Sequence, residues 1–390
     1  MGLSPLVGVL GHRQVGKTTL LEQNAKSYFV LDQKKEQAEA KAEPYQYLAT
    51  RAGSWVALDE CQSVPELFPE LKEWVRTHKK PGQFILSGSV RFSSREAIKE
   101  SLTGRIVNLE LLPFSLSEAH SERLSDFLLR ALEATDFTRW VHSLPKQTSG
   151  IEKRHQQLRQ YWETGGLPSV CFLRDPKQRR FKIEEQLLTI LDRDVRLVKK
   201  IQLPLGDIRA VLTALAEQHG QPLNLTIIRS ETGISLPTVK KLLYVFEATF
   251  LIRPLRIEGS TKGTCYYFED QAEAGHLVVQ KKYTDSELFI HSLYLNLRTQ
   301  FEYRLGEVYS VFRFETQGGA LVPLCFQTRM GTIGIIPVLS AEDAYKQNMG
   351  SIRSFLAKYS QSKVLLVHLD AKSPQAINDR VMSVAAGMVL

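Results

Sequence analysis

The residues best suited to chemistry form one run near the start of the chain, Gly11-His12-Arg13-Gln14-Val15-Gly16-Lys17-Thr18. The run fits the motif G-x-x-x-x-G-K-[ST], in which the glycines let backbone N–H groups curl around a phosphate chain. Lys17 would reach the terminal phosphates and Thr18 would offer a hydroxyl to Mg²⁺, so the run through Thr19 predicts a site for ATP and Mg²⁺. The alternative is a glycine turn that matches the motif without binding phosphate.

A second run, Ser54-Trp55-Val56-Ala57-Leu58-Asp59-Glu60, is an apolar strand that ends in two acids. Asp59 would hold the Mg²⁺ through its water shell, and Glu60 would polarise the attacking water as the catalytic base. A strand that simply meets solvent can look the same, but the position of this one downstream of the glycine loop favours catalysis.

Alternating strands and helices position these groups. Apolar strands are predicted at residues 6–10, 28–32, 55–59, 83–87 and 106–111, with helices over residues 17–28, after Pro65 and after Arg95. This alternation predicts a parallel sheet with helices on both faces, and therefore an α/β domain over residues 1–115. Ligands bind such sheets at the carboxyl ends of the strands, where the glycine loop, Asp59 and Glu60 all fall.

The length of 390 residues predicts two to four domains, and a 43% hydrophobic, 24% charged composition is typical of a soluble globular protein. No apolar run approaches the ~20 residues that cross a bilayer, so no membrane association is expected. The four cysteines are scattered without a C-x-x-C pair, which favours a reducing, cytoplasmic location over a disulfide framework or a zinc site.

The net charge of +8 favours an acidic partner, of which nucleic acid is the usual one. Residues 174–200 carry nine Lys or Arg against five Asp or Glu. A solvated helix face is the simpler explanation of that run.

Residues 116–203 predict a helical lid, broken at Leu144-Pro145 and at residues 165–168. Residues 204–262 give helix, short helix, glycine turn, longer helix and strand, which is the order of a winged helix. The longer helix would expose Thr238, Lys240, Lys241 and Tyr244 to phosphates or base edges. An intramolecular or protein-binding role for the winged helix stays open. Residues 263–390 predict a mixed α/β domain.

Taken together, these segments resemble a family of bacterial and archaeal AAA-type ATPases. The similarity covers roughly residues 5–256, including GHRQVGKTTLLEQ, WVALDECQSVPELFPELKEWV, SLTGRIVNLELLPFSLSE, YWETGGLPSV and LDRDVR. It implies an AAA-type ATPase domain, a helical lid and a winged helix. Related ATPases place a polar sensor where Ser87 and Ser89 follow the fourth strand, and the alternative there is a serine-rich turn. The resemblance also marks Arg105 as a γ-phosphate sensor or an arginine finger, against a simple charge at a strand start.

Relatives of this family carry a restriction-endonuclease-like C-terminal domain with metal-binding acids on two strands. The corresponding stretches here, residues 319–323 and 334–339, have neither an acid nor a lysine at the expected place, although Glu287 can match an upstream glutamate. We therefore expect a nuclease-like fold without nuclease chemistry, used for binding or assembly.

Two main hypotheses follow. The first is a Mg²⁺-dependent ATPase whose nucleotide state repositions the lid and the winged helix on a partner such as DNA. The second is a nucleotide-dependent scaffold or switch that binds proteins, or further copies of itself, and turns over slowly. An ATP-driven nuclease is disfavoured because the C-terminal acids are missing.

Overall fold

The computed structural model describes residues 4–78, 80–92, 102–145, 150–259, 263–304 and 308–390. The helix predicted after Arg95 begins outside these ranges. In the part of the chain that is described, no helix is long and apolar enough to cross a membrane.

The N-terminal region is built on a parallel sheet, as predicted. Its strands are β1 (Leu6–Gly11), β2 (Ser27–Val30), β3 (Val56–Asp59), β4 (Phe84–Gly88) and β5 (Ile106–Leu111), in the spatial order β2-β3-β4-β1-β5. The helices α1 (Lys17–Asn24), α2 (Lys34–Ala42), α3 (Pro44–Arg51) and α4 (Leu67–Thr77) connect or cover these strands. Every residue of β1, β3 and β4 is buried, because layers on both faces of the sheet exclude water.

The first helix is shorter than the sequence predicts. It ends at Asn24 because Ala25 is extended and the β-prone residues that follow pair with β3 in parallel register, from Ser27 beside Val56 to Val30 beside Asp59. The carboxyl end of β2 is thereby brought beside Asp59.

Residues 116–198 are largely helical. The helices are α5 (Leu116–Ala119), α6 (Phe127–Glu133), α7 (Phe137–Trp140), α8 (Ile151–Thr164), α9 (Pro168–Cys171), α10 (Pro176–Thr189), a π-helical turn (Ile190–Asp194) and α11 (Val195–Val198). The last three segments form one continuous helical stretch that contains most of the basic run, and Lys199 and Lys200 follow its last residue.

The next elements follow the order predicted for a winged helix: α12 (Leu205–Glu217), α13 (Leu225–Thr232), α14 (Leu236–Ala248), then β6 (Ile252–Gly259) and β7 (Gly263–Phe268). Gly233 ends α13 with a φ of 71°, a left-handed conformation that favours glycine. The antiparallel pair β6–β7 is not isolated, because the other edge of β6 pairs in parallel with β8.

The C-terminal region adds α15 (Gln271–Leu277), α16 (Asp285–Glu302), β8 (Ser310–Glu315), β9 (Leu321–Thr328), β10 (Gly331–Val338), α17 (Ala344–Lys358), β11 (Lys363–His368), β12 (Gln375–Ala376), β13 (Val381–Ala385) and α18 (Ala386–Val389). Its mixed sheet has the order β12-β13-β11-β10-β9-β8-β6-β7. The α/β fold class is thus confirmed, with a parallel N-terminal sheet and a mixed C-terminal one.

Packing joins segments on both sides of the predicted domain boundaries. One apolar core combines residues of α6 and α8 with β9, β10 and α16 of the C-terminal region. A second core combines α10 and α11 with α12 to α15. The predicted lid therefore contributes its first half to one core and its second half to the other.

A buried ion-pair network ties the N-terminal sheet to the rest of the molecule. Glu110 on β5 accepts hydrogen bonds from Arg91 (Nη1 to Oε2, 3.1 Å) and from Arg253 on β6. Arg253 Nε also donates to Glu269 Oε1 at 2.7 Å, and Arg298 Nη2 donates to Glu269 Oε2 at 2.5 Å. Such groups are stable in the interior only when each charge keeps its partners.

Candidate nucleotide site

The glycine loop connects β1 to α1 at the carboxyl edge of the parallel sheet. Gly16 stands immediately before α1 with φ 102° and ψ 12°, and Gln14 is also left-handed with φ 60°. These conformations turn the loop so that α1 begins at Lys17, with the free N–H groups of its first turn at the loop. The local geometry that phosphate binding requires is present.

Lys17 lies inside the loop. Its Nζ donates to the carbonyl oxygens of Gly11 at 3.0 Å and His12 at 2.8 Å, and the side chain is buried. Burial lowers the pKa of Lys17 to about 8, although the Glu60 and Asp59 carboxylates oppose the shift. The Lys17 ammonium thus loses its proton closer to neutral pH than an ordinary lysine does, and further negative charge beside it would oppose that loss.

Asp59, at the end of β3, collects three hydroxyl groups. Its Oδ2 accepts from Thr18 Oγ1 at 2.8 Å and from Tyr28 Oη at 2.6 Å, and its Oδ1 accepts from Ser87 Oγ. Hydroxyl and carboxylate oxygens side by side are the hard donors that Mg²⁺ prefers. The Thr18–Asp59 pair therefore fits the metal that an AAA-type ATPase requires.

Glu60 follows in a left-handed conformation, with φ 58°. Its backbone N–H donates to Asp59 Oδ1 at 3.0 Å and to Ser87 Oγ at 3.4 Å, and its carboxylate accepts from Gln62 Nε2. Burial raises the pKa of Glu60, with Lys17 acting against the shift. Ser87 thus contacts the Asp59 carboxylate and the Glu60 backbone N–H, whereas Ser89 Oγ accepts from Gln62 Nε2 at 3.3 Å.

A cavity of about 470 Å³ opens over this edge of the sheet. It is lined by Arg13, Gln14, Gly16, Lys17, Thr18, Thr19, Glu60, Pro168 and Ser169. The last two residues begin α9, so the helical region closes one side of the cavity. Sequence reasoning did not assign a role to them, although the interruption of the helical pattern at residues 165–168 was a signal.

Two predicted binding residues direct their side chains away from the cavity. Val15 is buried, and His12 Nε2 lies 3.0 Å from Glu273 Oε2 on α15, with both side chains buried. Burial lowers the pKa of His12, but Glu273 outweighs this effect and the net shift is upward. Gln186 Nε2 on α10 also donates to Glu273 Oε1 at 2.9 Å. The loop is thus held in place by Glu273 of α15, which contacts both His12 and Gln186 of the helical region.

Arg13 links the loop to a residue that the sequence analysis left without a role. Its Nη1 donates to both oxygens of Asp194, at 3.3 and 3.2 Å. Asp194 is 1% exposed, ends the π-helical turn, and also accepts from Ser89 Oγ at 3.4 Å. Burial raises the pKa of Asp194, opposed by Arg13. The sequence offered one signal, an acid placed inside a basic run.

Arg105 does not join this group. It immediately precedes β5, whose first residue Ile106 pairs with Leu6, whereas the glycine loop follows the other end of β1, where Gly11 pairs with Leu111. Arg105 Nη1 donates to Thr103 O at 3.1 Å. A γ-phosphate sensor for this cavity would have to stand at the carboxyl edge, so that expectation does not fit the position of Arg105. An arginine finger reaching a neighbouring copy stays a prediction.

The C-terminal stretches discussed above lie on β9 and β10, whose central residues are buried and apolar. Glu287 lies in the first turn of α16, where its carboxylate accepts from Thr284 N at 2.9 Å and Lys281 Nζ at 3.0 Å. Among the described residues, no three or more His, Cys, Asp or Glu are grouped to hold a metal ion. Glu287 thus serves as a helix cap in this structure.

Comparison with protein families supports the assignment of the N-terminal region. Residues 4–120 match the family model described as an AAA domain, and residues 155–258 match a domain of unknown function, DUF8612. The first match contains the glycine loop, Asp59, Glu60 and Ser87, so the prediction of a P-loop AAA-type domain is confirmed. The second match runs across residue 203, a predicted domain boundary, as the second apolar core does.

Two curated relatives are the uncharacterized proteins Rv2008c of Mycobacterium tuberculosis and Mb2031c of Mycobacterium bovis. Each is 25% identical over 255 residues, which is 65% of this chain and 50% of the relative. The chain therefore spans about half the length of the curated relatives it matches.

Two solved structures are similar at low scores. The Aeropyrum pernix ORC1 protein in complex with DNA has a TM-score of 0.29 and 15% identity, over 70% of this chain and 85% of that chain. Protein VC1899 from Vibrio cholerae has a TM-score of 0.18 and 9% identity, over 94% and 89%. Scores this low do not establish a shared overall fold.

Proposed function

We propose that this protein is a Mg²⁺-dependent ATPase whose nucleotide state acts on the helical region and the predicted winged helix. The observation that carries the proposal is the Thr18–Asp59 hydrogen bond of 2.8 Å, set between the Lys17 loop and Glu60. Phosphoryl transfer to water requires a cationic loop for the phosphates, oxygen ligands for the metal and an acid that activates the water. The Lys17 loop, the Thr18–Asp59 pair and Glu60 would supply these three parts.

The loop and Lys17 would bind the β- and γ-phosphates. Lys17 Nζ would exchange its two loop carbonyls for phosphate oxygens, whose charge keeps the ammonium protonated. Thr18 and Asp59 would hold Mg²⁺, which neutralises charge on the phosphates when it is bound. Arg13 lines the same cavity and would contact phosphate if it left Asp194.

Glu60 would accept the proton of the attacking water. A carboxylate whose pKa is raised by burial accepts a proton more readily near neutral pH, which suits a general base. Ser87 would orient this group through its contacts with Asp59 and the Glu60 N–H. Ser89 is the alternative sensor, and Arg105 would act only on the nucleotide of a neighbouring copy.

Steady-state phosphate release and equilibrium ATP binding test the proposal together. Lys17→Ala should weaken ATP binding, whereas Glu60→Gln should retain binding and lose turnover by ~100-fold or more, as expected for a missing general base. Glu22→Gln is the matched control, because Glu22 lies on the exposed side of α1 outside the cavity lining. Hydrolysis at the wild-type rate by Glu60→Gln would refute the role of Glu60.

One contact favours the second hypothesis, a nucleotide-dependent scaffold that turns over slowly. The Gln62 amide donates to the Glu60 carboxylate, and this donor competes with the water that Glu60 would activate. Turnover measured with and without duplex DNA separates the two functions. A turnover rate that rises strongly with DNA favours the ATPase that acts on DNA. A slow rate that DNA does not change favours a scaffold for proteins or further copies of this chain.

A further inference from the structure

We propose that Lys199, Lys200, Lys240, Lys241 and Tyr244 form one surface that binds the phosphate backbone of nucleic acid, and that Arg13 and Asp194 make its affinity depend on nucleotide. The second half of this inference rests on the proposed ATP site. We refer to these five residues as the lysine surface.

The lysine surface joins two segments that are far apart in the sequence. Lys241 Nζ on α14 donates to the Lys200 carbonyl oxygen at 2.7 Å. Lys199 Nζ lies 4.8 Å from the centre of the Tyr244 ring. Lys240 and Tyr244 are exposed and four residues apart, and therefore lie on the same face of the helix. The lysine surface therefore combines the end of the basic run with the exposed face of α14.

The four lysines of this surface have no acidic partner in the part of the chain that the structure describes. Across the described residues, no carboxylate forms an ion pair with any of the four lysines, whereas the nearby Arg193 and Arg196 are paired with Asp32 and Asp192. Four like charges held together repel one another, and the negative charge of a polyanion relieves that repulsion. Binding also releases the counterions that were condensed on the polyanion. Tyr244 is 42% exposed, and its ring lies beside Lys199 within the same surface.

Nucleic acid is favoured over other anionic partners because of the element that carries the patch. Helix α14 is the longer helix of the predicted winged helix, and such a helix can enter the major groove while lysines beside it contact phosphates. The Lys199–Lys200 pair then extends the contact along the backbone.

The patch is connected to the ATP site by one short stretch of helix. Asp194 ends the π-helical turn, α11 covers Val195–Val198, and Lys199 follows directly. Phosphate in the cavity would compete with Asp194 for Arg13. When Arg13 turns to the phosphate, Asp194 is left as a buried charge with fewer partners. The segment from Asp194 to Lys200 would then shift and carry Lys199 and Lys200 away from α14. We therefore expect ATP to weaken binding to nucleic acid.

Fluorescence anisotropy with a labelled random-sequence DNA duplex tests the surface. If four phosphates are contacted, affinity should fall ~150-fold between about 50 and 200 mM salt, and only ~12-fold for Lys199→Ala/Lys200→Ala. The control is Lys34→Ala/Lys35→Ala, an adjacent exposed pair on α2, which should bind like the wild type. An unchanged salt dependence in the Lys199/Lys200 variant, or no binding by the wild type at low salt, would overturn the inference. ATP turnover of the same preparations reports separately on the proposed function.

The same assay with a saturating non-hydrolysable ATP analogue tests the coupling. Wild-type affinity should fall at least about threefold, and Asp194→Asn should abolish this response. Arg13→Ala removes the other partner and should also abolish the response, which guards against a folding defect in either variant. Equal affinity with and without the analogue in the wild type, or a full response in both variants, would overturn the coupling.

Discussion

The buried position of Lys17 should make ATP affinity depend on pH in a range where most lysines do not titrate. Its pKa is lowered to about 8 by burial, and the Glu60, Asp59 and Asp194 carboxylates oppose this shift. In the ATP complex, the phosphate charge next to Nζ should keep the ammonium protonated well above pH 9. Binding above pH 8 must therefore take up a proton.

The size of the effect follows from the fraction of Lys17 that is protonated before ATP binds. This fraction falls about tenfold between pH 7 and pH 9 for a pKa of about 8, so ATP affinity should fall about tenfold, or ~1.4 kcal/mol. Near pH 8.5 we expect uptake of roughly 0.8 proton per ATP bound.

Isothermal titration calorimetry in two buffers with different ionisation enthalpies measures both quantities. Lys17→Arg is the control, because a guanidinium does not titrate in this range and its weaker ATP binding should be insensitive to pH. Affinity that is constant within about twofold from pH 7 to 9, without proton uptake, would refute the reasoning.

Two further predictions concern stability and the C-terminal region. Glu269→Gln should lower the free energy of unfolding in urea by about 3–5 kcal/mol, because it leaves Arg253 and Arg298 without their shared carboxylate, whereas Glu73→Gln at the surface should change it little. Burial acts to raise the pKa of Glu269, but the two arginines hold it below its usual value, so this stabilisation is present at neutral pH and is lost as the pH falls through the acid range. Incubation of supercoiled DNA with Mg²⁺ or Mn²⁺, with or without ATP, should give no cleavage, and cleavage that Glu287→Ala abolishes while Lys17→Ala does not would contradict this expectation.

The local parts of the site could be predicted from the sequence. A glycine loop fixes its own geometry through its φ values, and strands that run parallel must bring their carboxyl ends together. The sequence could therefore predict that Lys17, Thr18, Asp59, Glu60 and Ser87 lie at one edge of the sheet, and their roles in catalysis stay predictions. Most strands of both sheets were predicted for a similar reason, since short apolar runs between turns have few other structures available, but β12 and β13 of the C-terminal sheet were not.

The remaining contacts depend on packing between distant segments. Arg13 and Asp194 are 181 residues apart, and nothing in either local pattern specifies the other. Tyr28 was predicted both as the last residue of a helix and as the first residue of a strand, so its hydroxyl could not be placed on Asp59 until the pairing of β2 with β3 was known. Arg105 shows the converse, because its place before the predicted strand 106–111 already indicated the amino edge of the sheet, whereas the family motif alone indicated a sensor.

The strand Ile252–Gly259 limits how this chain can be divided. Both of its edges are hydrogen-bonded, one to Gly263–Phe268 and the other to Ser310–Glu315. A truncated protein that ends at residue 262 would lack both of these partners and would expose both edges of the strand. Open strand edges recruit other chains into aggregates. The predicted winged helix and the C-terminal sheet thus share a strand, so a variant meant to isolate either one should keep residues 252–259 paired on both edges.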